Sequence, residues 1–212
     1  MSPSFPISPT RPIHPPCFLT ALIAALTFVF SPSSLASAAD QPPIKTPDVV
    51  YVGTPHDVVV KMLELAKVTK TDRVYDLGCG DGRIVVAAAK KYGCRGVGFD
   101  VNPVRVREAE ENVRRNGVEK LVTIQPKDIF TVDLSQVNVV TLYLLPGLNV
   151  RLIPQLKKMP PGSRIVSHDF DMRGVKPDRV ITLISKEDAV EHTLYLWNTP
   201  LKMDESDEES GR

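Results

Sequence analysis

Cysteine is scarce, with three in a chain of 212 residues, which excludes a fold held together by a disulfide framework. Cys17 lies near the N-terminus, whereas Cys79 and Cys94 flank a stretch that reads as a helix of about ten residues, long enough to hold them roughly 15 Å apart. Disulfide-bonded Cα atoms lie within about 7 Å, so both read as free thiols. No His or Lys adjoins Cys79 to activate it, and a small residue filling a tight turn is the better reading than a nucleophile. A surplus of one charge is also lacking: 26 Lys and Arg face 25 Asp and Glu. That balance withholds the broad positive field on which nucleic-acid binding draws, so such a partner is not expected. No internal repeat is visible, and a composition of 42% hydrophobic and 24% charged residues fits one globular domain with appendages.

Acidic residues are absent from residues 1–39, which hold a single basic residue, Arg11, and many Ser and Pro. The apolar run from Cys17 to Phe30 is shorter than the ~20 residues that span a bilayer. With the small-x-small pattern Ala36-Ser37-Ala38 behind it, residues 1–39 read as a signal peptide cleaved after Ala38 or Ala39. An uncleaved anchor, giving membrane association through this leader, or an organelle transit segment are the alternatives. Residues 40–48 form a Pro-rich linker, 49–200 the globular domain, and 201–212 an acidic, apolar-poor tail that reads as disordered.

The domain is organised around the stretch from Arg73 to Ala89. A buried strand, Val74 to Leu77, leads into a turn with glycine at 78, 80 and 82, and a helix follows from Arg83. Glycines permit positive φ and close approach of a ligand to the backbone, and the helix N–H groups open onto the same space. A dinucleotide fingerprint spaces its glycines G-x-G-x-x-G to admit a pyrophosphate; here the spacing is G-x-G-x-G, and the carboxylate of Asp76 stands at the strand end. That charge repels phosphate and attracts an amine.

Upstream, Val49 to Thr54 precede a helix with Val58, Val59, Met62, Leu65 and Ala66 on one face; Thr54 suits its N-cap, Pro55 the first helical position and Asp57 the third. Tyr51 has no such structural excuse. Downstream, Gly96 to Asp100 form a second strand whose terminal carboxylate lies ~20 residues past the glycines, where ribose hydroxyls are met in a doubly wound sheet. Asn102 before Pro103 caps the next helix. A third strand, Val122 to Gln125, leads to Asp128 and Ile129, placed either to meet an adenine or as a solvated loop acid and its neighbour. The apolar run Val137 to Leu145 suits a central fourth strand broken at Pro146, with Pro154 restricting the start of the helix after it. Arg164 to His168 form a fifth strand, and Val180 to Ile184 and Thr193 to Trp197 an antiparallel pair. His168, Asp169 and Asp171 suggest metal ligands, yet successive strand residues point to opposite faces and a site needs several elements, so no metal is expected.

Five features line up in order: a tyrosine-bearing segment before the first helix, Asp76-Leu-Gly-x-Gly-Asp-Gly-Arg-Ile-Val, Gly98-x-Asp-x-Asn-Pro103, Lys127-Asp-Ile-Phe130, and a fourth strand ended by proline. Together they resemble class I S-adenosylmethionine-dependent methyltransferases, within them the protein-lysine methyltransferases that act on the ATP synthase c-ring protein and the adenine nucleotide translocase. The resemblance implies an α/β, Rossmann-like doubly wound sheet of seven strands, mostly parallel with an antiparallel C-terminal pair. It also implies S-adenosyl-L-methionine as cofactor: Asp76, Gly78 and Gly80 at the methionine moiety, Asp100 at the ribose, Asp128 and Ile129 at the adenine, and Tyr51 and Thr54 closing over the methionine end. On the acceptor side stand Tyr143, Pro146 and Asp169, and the implied acceptor is a protein lysine. A small molecule or lipid acceptor, or an exported non-catalytic protein keeping the fold, are the alternatives. The chain lacks the Asn/Asp-Pro-Pro-Tyr/Phe motif of many amino-group nucleic-acid methyltransferases at strand four and carries Leu142-Tyr-Leu-Leu-Pro146 instead. It departs from the mitochondrial enzymes in Ser167-His-Asp-Phe-Asp171 and in its leader, whose export reading conflicts with a cofactor made in the cytosol.

Overall fold

The computed structural model describes residues 52–204. The leader, the linker, Tyr51 and most of the acidic tail lie outside the described residues. Helix α1 (His56–Leu65) is followed by strand β1 (Arg73–Leu77), α2 (Arg83–Tyr92), β2 (Arg95–Asp100), α3 (Pro103–Arg115) and β3 (Val122–Pro126). After a 3-10 turn at Ile129–Thr131 come β4 (Val139–Leu142), α4 (Pro146–Leu156), β5 (Arg164–His168), β6 (Arg179–Ile184) and β7 (Glu191–Asn198).

The strands form one seven-stranded sheet in the order β3-β2-β1-β4-β5-β7-β6. The first five run parallel, and β7 inserts antiparallel between β5 and β6. The central strands are covered on both faces, which is why they read as continuous apolar runs. Val140, Leu142 and Ile165 pack on one side with Leu152, Leu156 and Trp197. Val74, Val139 and Val166 pack on the other with Val58, Val59, Met62 and Ile84. Because β1 lies between β2 and β4, the chain order reverses there, and a crevice opens beyond the C-terminal ends of these strands.

Two expectations about helix starts are corrected. The apolar run of β4 leaves the sheet at Leu142, and α4 begins at Pro146, with Leu145 as N-cap and Pro154 inside the helix. Proline at the first helical position gives up no hydrogen bond, so Pro146 starts the helix that Pro154 was expected to delimit. At α1 the N-cap is Pro55, and no side chain caps it. The Thr54 hydroxyl meets His168 Nδ1 at 3.1 Å instead. Asp57 accepts from the Ser185 hydroxyl at 2.9 Å and the Lys186 N–H at 2.7 Å, tying α1 to the turn between β6 and β7.

Cys79 fills a tight place beneath the crevice. A Cβ at Gly98 would stand 2.8 Å from Cys79 Sγ, 2.9 Å from its Cβ and 3.0 Å from Ile124 Cδ1. Gly98→Ala is therefore expected to destabilise the fold by about 1–3 kcal/mol through overpacking. Denaturant unfolding measures this, and an unchanged midpoint would mean that the strands separate freely there.

Candidate functional site

The crevice is walled by the ends of β1, β2 and β4, by the residues after β3, and by Val52, Gly53 and Thr54 from the segment before α1. The glycine turn forms its floor. Gly78 and Cys79 both donate their N–H to the Phe99 carbonyl, at 2.9 and 2.8 Å, drawing the turn onto β2. Gly78 has φ +83°, and a Cβ there would press to 2.9 Å from Leu144 Cδ2, so glycine serves both the backbone and the β4 side of the wall.

Four carboxylates face this space: Asp76, Asp81, Asp100 and Asp128. Asp76, next to the last residue of β1, is almost wholly buried. It pairs in register with Thr141 of β4, whose hydroxyl donates to it at 2.7 Å. Desolvation pushes its pKa up to about 7, against the Thr141 hydrogen bond and with the help of the Asp81 and Asp100 charges. Such a carboxyl is ready to receive a cation that removes its burial penalty. Asp100 lies one strand away, accepting from the Gly80 N–H at 3.0 Å and the Asn102 N–H at 2.8 Å, so it braces the glycine turn as well as facing the crevice. Asp128 accepts from the Phe130 N–H at 3.0 Å and so sets the 3-10 turn that presents Ile129 and Phe130. Arg151 covers the Phe130 ring at 3.7 Å.

Sequence reasoning passed over Asp81 and Arg83, although both lie in the motif it singled out. The Asp81 carboxylate grips the Arg83 guanidinium, at 2.7 Å from Nη2, and Nη1 donates to the Thr54 carbonyl at 2.8 Å. Arg83 thereby staples the segment before α1 to the glycine turn. A side chain at Gly53 would have to displace this guanidinium, since a Cβ there would lie 2.6 Å from it.

Of the residues expected on the acceptor side, Tyr143 lines the crevice beside Leu144 and Leu148, while Pro146 and Asp169 are not part of its wall; nor is Gly80, expected at the methionine moiety. Behind the wall lies a polar cluster. His168, fully buried, touches Tyr143 with ring centroids 4.0 Å apart. Its Nε2 lies 2.9 Å from His192 Nδ1 and 3.2 Å from Asp169 Oδ2. Burial holds the His168 pKa down to about 4, outweighing the Asp169 charge, so the ring is neutral. Burial also acts to lower His192, but its hydrogen bonds to Asp169 and Asp188 prevail and raise it. His192, 24 residues from His168, gave no local signal in the sequence.

Residues 76–179 match the family described as the ANTKMT methyltransferase domain. A protein-lysine N-methyltransferase of Saccharolobus islandicus (strain REY15A) is 46% identical over 153 residues, 71% of this chain and 94% of that protein. The adenine nucleotide translocase lysine N-methyltransferase of Mus musculus is 33% identical over 135 residues, and the match covers 63% of this chain and 58% of the mouse protein. Among solved structures, an RNA methyltransferase from Salinibacter ruber in complex with S-adenosyl-L-homocysteine is 47% identical with a TM-score of 0.66, over 73% of this chain and 97% of that one. The likeness across nearly the whole Saccharolobus protein, the matching domain and the shared fold agree: this chain belongs to the ANTKMT-type family of methyltransferases.

Proposed function

We propose that the protein transfers the methyl group of S-adenosylmethionine to a lysine side chain of a protein. The observation that carries the cofactor reading is Asp76, a buried carboxyl at the topological switch point, set among three more carboxylates whose charge disfavours a phosphate. S-adenosylmethionine brings an ammonium, ribose hydroxyls and a sulfonium, and no phosphate. In this reading Asp76 takes the ammonium beside Gly78, Asp100 the ribose, and Asp128 with Ile129 the adenine. Thr54, held by Arg83 through its carbonyl, closes the methionine end.

In methyl transfer the lysine nitrogen forms a bond to the methyl carbon as the carbon–sulfur bond breaks, and the sulfur leaves with that electron pair as a neutral thioether. Most of the rate comes from holding the two partners in line. The amine must first shed its proton, which costs roughly 4 kcal/mol near pH 7.4 from a free pKa of about 10.4. Leu144 and Leu148 line the crevice, and Leu145 stands beside them 43% exposed. That apolar rim suits an aliphatic stem and disfavours the charged form of the amine. The names of the Saccharolobus and mouse relatives support the lysine acceptor. RNA, the acceptor class in the name of the Salinibacter protein, is the competing reading. It would leave a base edge unpaired against these leucines.

Calorimetry with S-adenosylhomocysteine tests the cofactor reading. Binding requires ionised Asp76, which in the free protein keeps its proton up to about pH 7. Affinity is therefore expected to rise about tenfold per pH unit as pH approaches 7 from below, then to level off. No binding, or binding that ignores pH across this window, would contradict Asp76 as the ammonium site.

A further inference from the structure

We propose that His168, Asp169 and His192 form a binding site for a divalent transition-metal ion of the zinc type, set behind the wall of the crevice. The three nearest ligand atoms make an almost equilateral triangle. His168 Nε2 to His192 Nδ1 is 2.9 Å, His192 Nδ1 to Asp169 Oδ2 is 3.1 Å, and Asp169 Oδ2 to His168 Nε2 is 3.2 Å. Tetrahedral ligands held about 2.0–2.1 Å from zinc stand about 3.3–3.4 Å apart, so each edge needs to open by no more than about half an ångström.

Two features of the fold bring together ligands that regular strand geometry would keep apart. Successive residues of a regular strand diverge, but Asp169 follows the end of β5 with φ +57°, a left-handed conformation that brings its carboxylate to the same side as the His168 ring. The third ligand comes from a different strand, β7, which the sheet order sets beside β5. Asp171, the third residue considered from sequence, is not in the cluster.

The outer partners are those that orient metal ligands. His168 Nδ1 meets the Thr54 hydroxyl at 3.1 Å, His192 Nε2 meets the Asp188 carboxylate at 3.2 Å, and Asp169 Oδ1 accepts from the Thr193 N–H at 2.9 Å. His192 thus has a carboxylate oxygen at each ring nitrogen. A neutral imidazole carries one N–H, so whichever tautomer forms leaves a lone pair facing a carboxylate. A second proton on the ring resolves this, and so does a cation at the triangle, which leaves Nε2–H to Asp188 and turns the Nδ1 lone pair to the metal. Imidazole and carboxylate ligands suit Zn2+, Co2+ and Ni2+ better than Mg2+ or Ca2+. Bound there, the ion would lock β5 to β7 behind Tyr143 and Thr54. The inference rests on the cluster alone and not on the lysine reading.

The test uses the full chain, stripped with a chelator and titrated with Zn2+ and, in parallel, Co2+. Elemental analysis after gel filtration counts the metal, and the visible spectrum reports cobalt geometry. The expected result is one ion per chain, a tetrahedral cobalt band and a raised melting temperature. Asp169→Asn and His192→Gln should each abolish the cobalt band, while His56→Gln, changing a histidine outside the cluster, keeps it. Asparagine tolerates the left-handed backbone, so Asp169→Asn is the variant to read should His192→Gln fail to fold. Native protein that retains no more ion than Asp169→Asn overturns the proposal and assigns the cluster to an imidazolium at His192. Equal loss in His56→Gln overturns it as well.

Discussion

Asp76→Asn is expected to bind S-adenosylhomocysteine one to two decades more weakly than the native protein and yet to melt at a higher temperature in mildly alkaline buffer. The two effects have one cause. Losing a charge-assisted hydrogen bond to the ligand ammonium costs about 1.5–3 kcal/mol, or roughly one to two decades of affinity. In the free protein the same charge is a liability. The folded chain keeps the Asp76 proton up to about pH 7, whereas the carboxyl ordinarily titrates at 3.8, as in the unfolded chain. Between these values the native state holds more protons, so stability falls as pH rises, by up to about 1.4 kcal/mol per unit. The asparagine does not titrate and can still accept from Thr141. Its advantage in melting temperature should therefore grow from mildly acidic to alkaline buffer. A variant that binds as well as the native protein, or whose advantage shrinks with rising pH, would remove Asp76 from the ammonium-binding role.

Tyr143→Ala is expected to slow methyl transfer about a hundredfold or more while leaving S-adenosylhomocysteine affinity nearly unchanged. Tyr143 follows β4, lines the crevice, and packs on His168 at 4.0 Å and Phe170 at 6.0 Å between ring centroids. It is remote in sequence from the glycine turn and from Asp100 and Asp128, the positions proposed to carry the adenosine. Its removal opens the acceptor wall, and misplacing a nucleophile by about 1 Å costs on the order of 10²-fold in rate. Tyr143→Phe separates the ring from the hydroxyl: near-native transfer assigns the ring as a wall, and a large loss assigns the hydroxyl to the amine. Equal losses of binding and transfer in Tyr143→Ala would show that the side chain supports the cofactor instead.

The part of the crevice proposed for the cofactor could be assembled from the sequence because it is built from local signals. A strand, a glycine turn and a helix lie within one stretch, and Asp100 and Asp128 each end or follow a strand, so strand order alone brings them to one edge. The acceptor half was less legible because it depends on chain that hydrophobicity describes poorly. Tyr143, Leu144 and Leu145 look like strand but leave the sheet, since apolar character marks burial and not pairing. Thr54 looks like a cap because its neighbours fit a capping box, yet its partner is His168, 114 residues away. His192 was invisible for the same reason: only the insertion of β7 between β5 and β6 sets it beside His168. The missed staple of Arg83 onto Thr54 is likewise a contact between separate elements.

The central claim is tested most directly by supplying S-adenosylmethionine labelled in its methyl group, with the purified protein, to a lysate of the source organism. The account predicts label in protease-sensitive, nuclease-resistant material, recovered as methyl-lysine after hydrolysis and lost with Asp76→Asn. Label confined to nuclease-sensitive or organic-extractable material would contradict the lysine acceptor, in favour of RNA or of a small molecule or lipid.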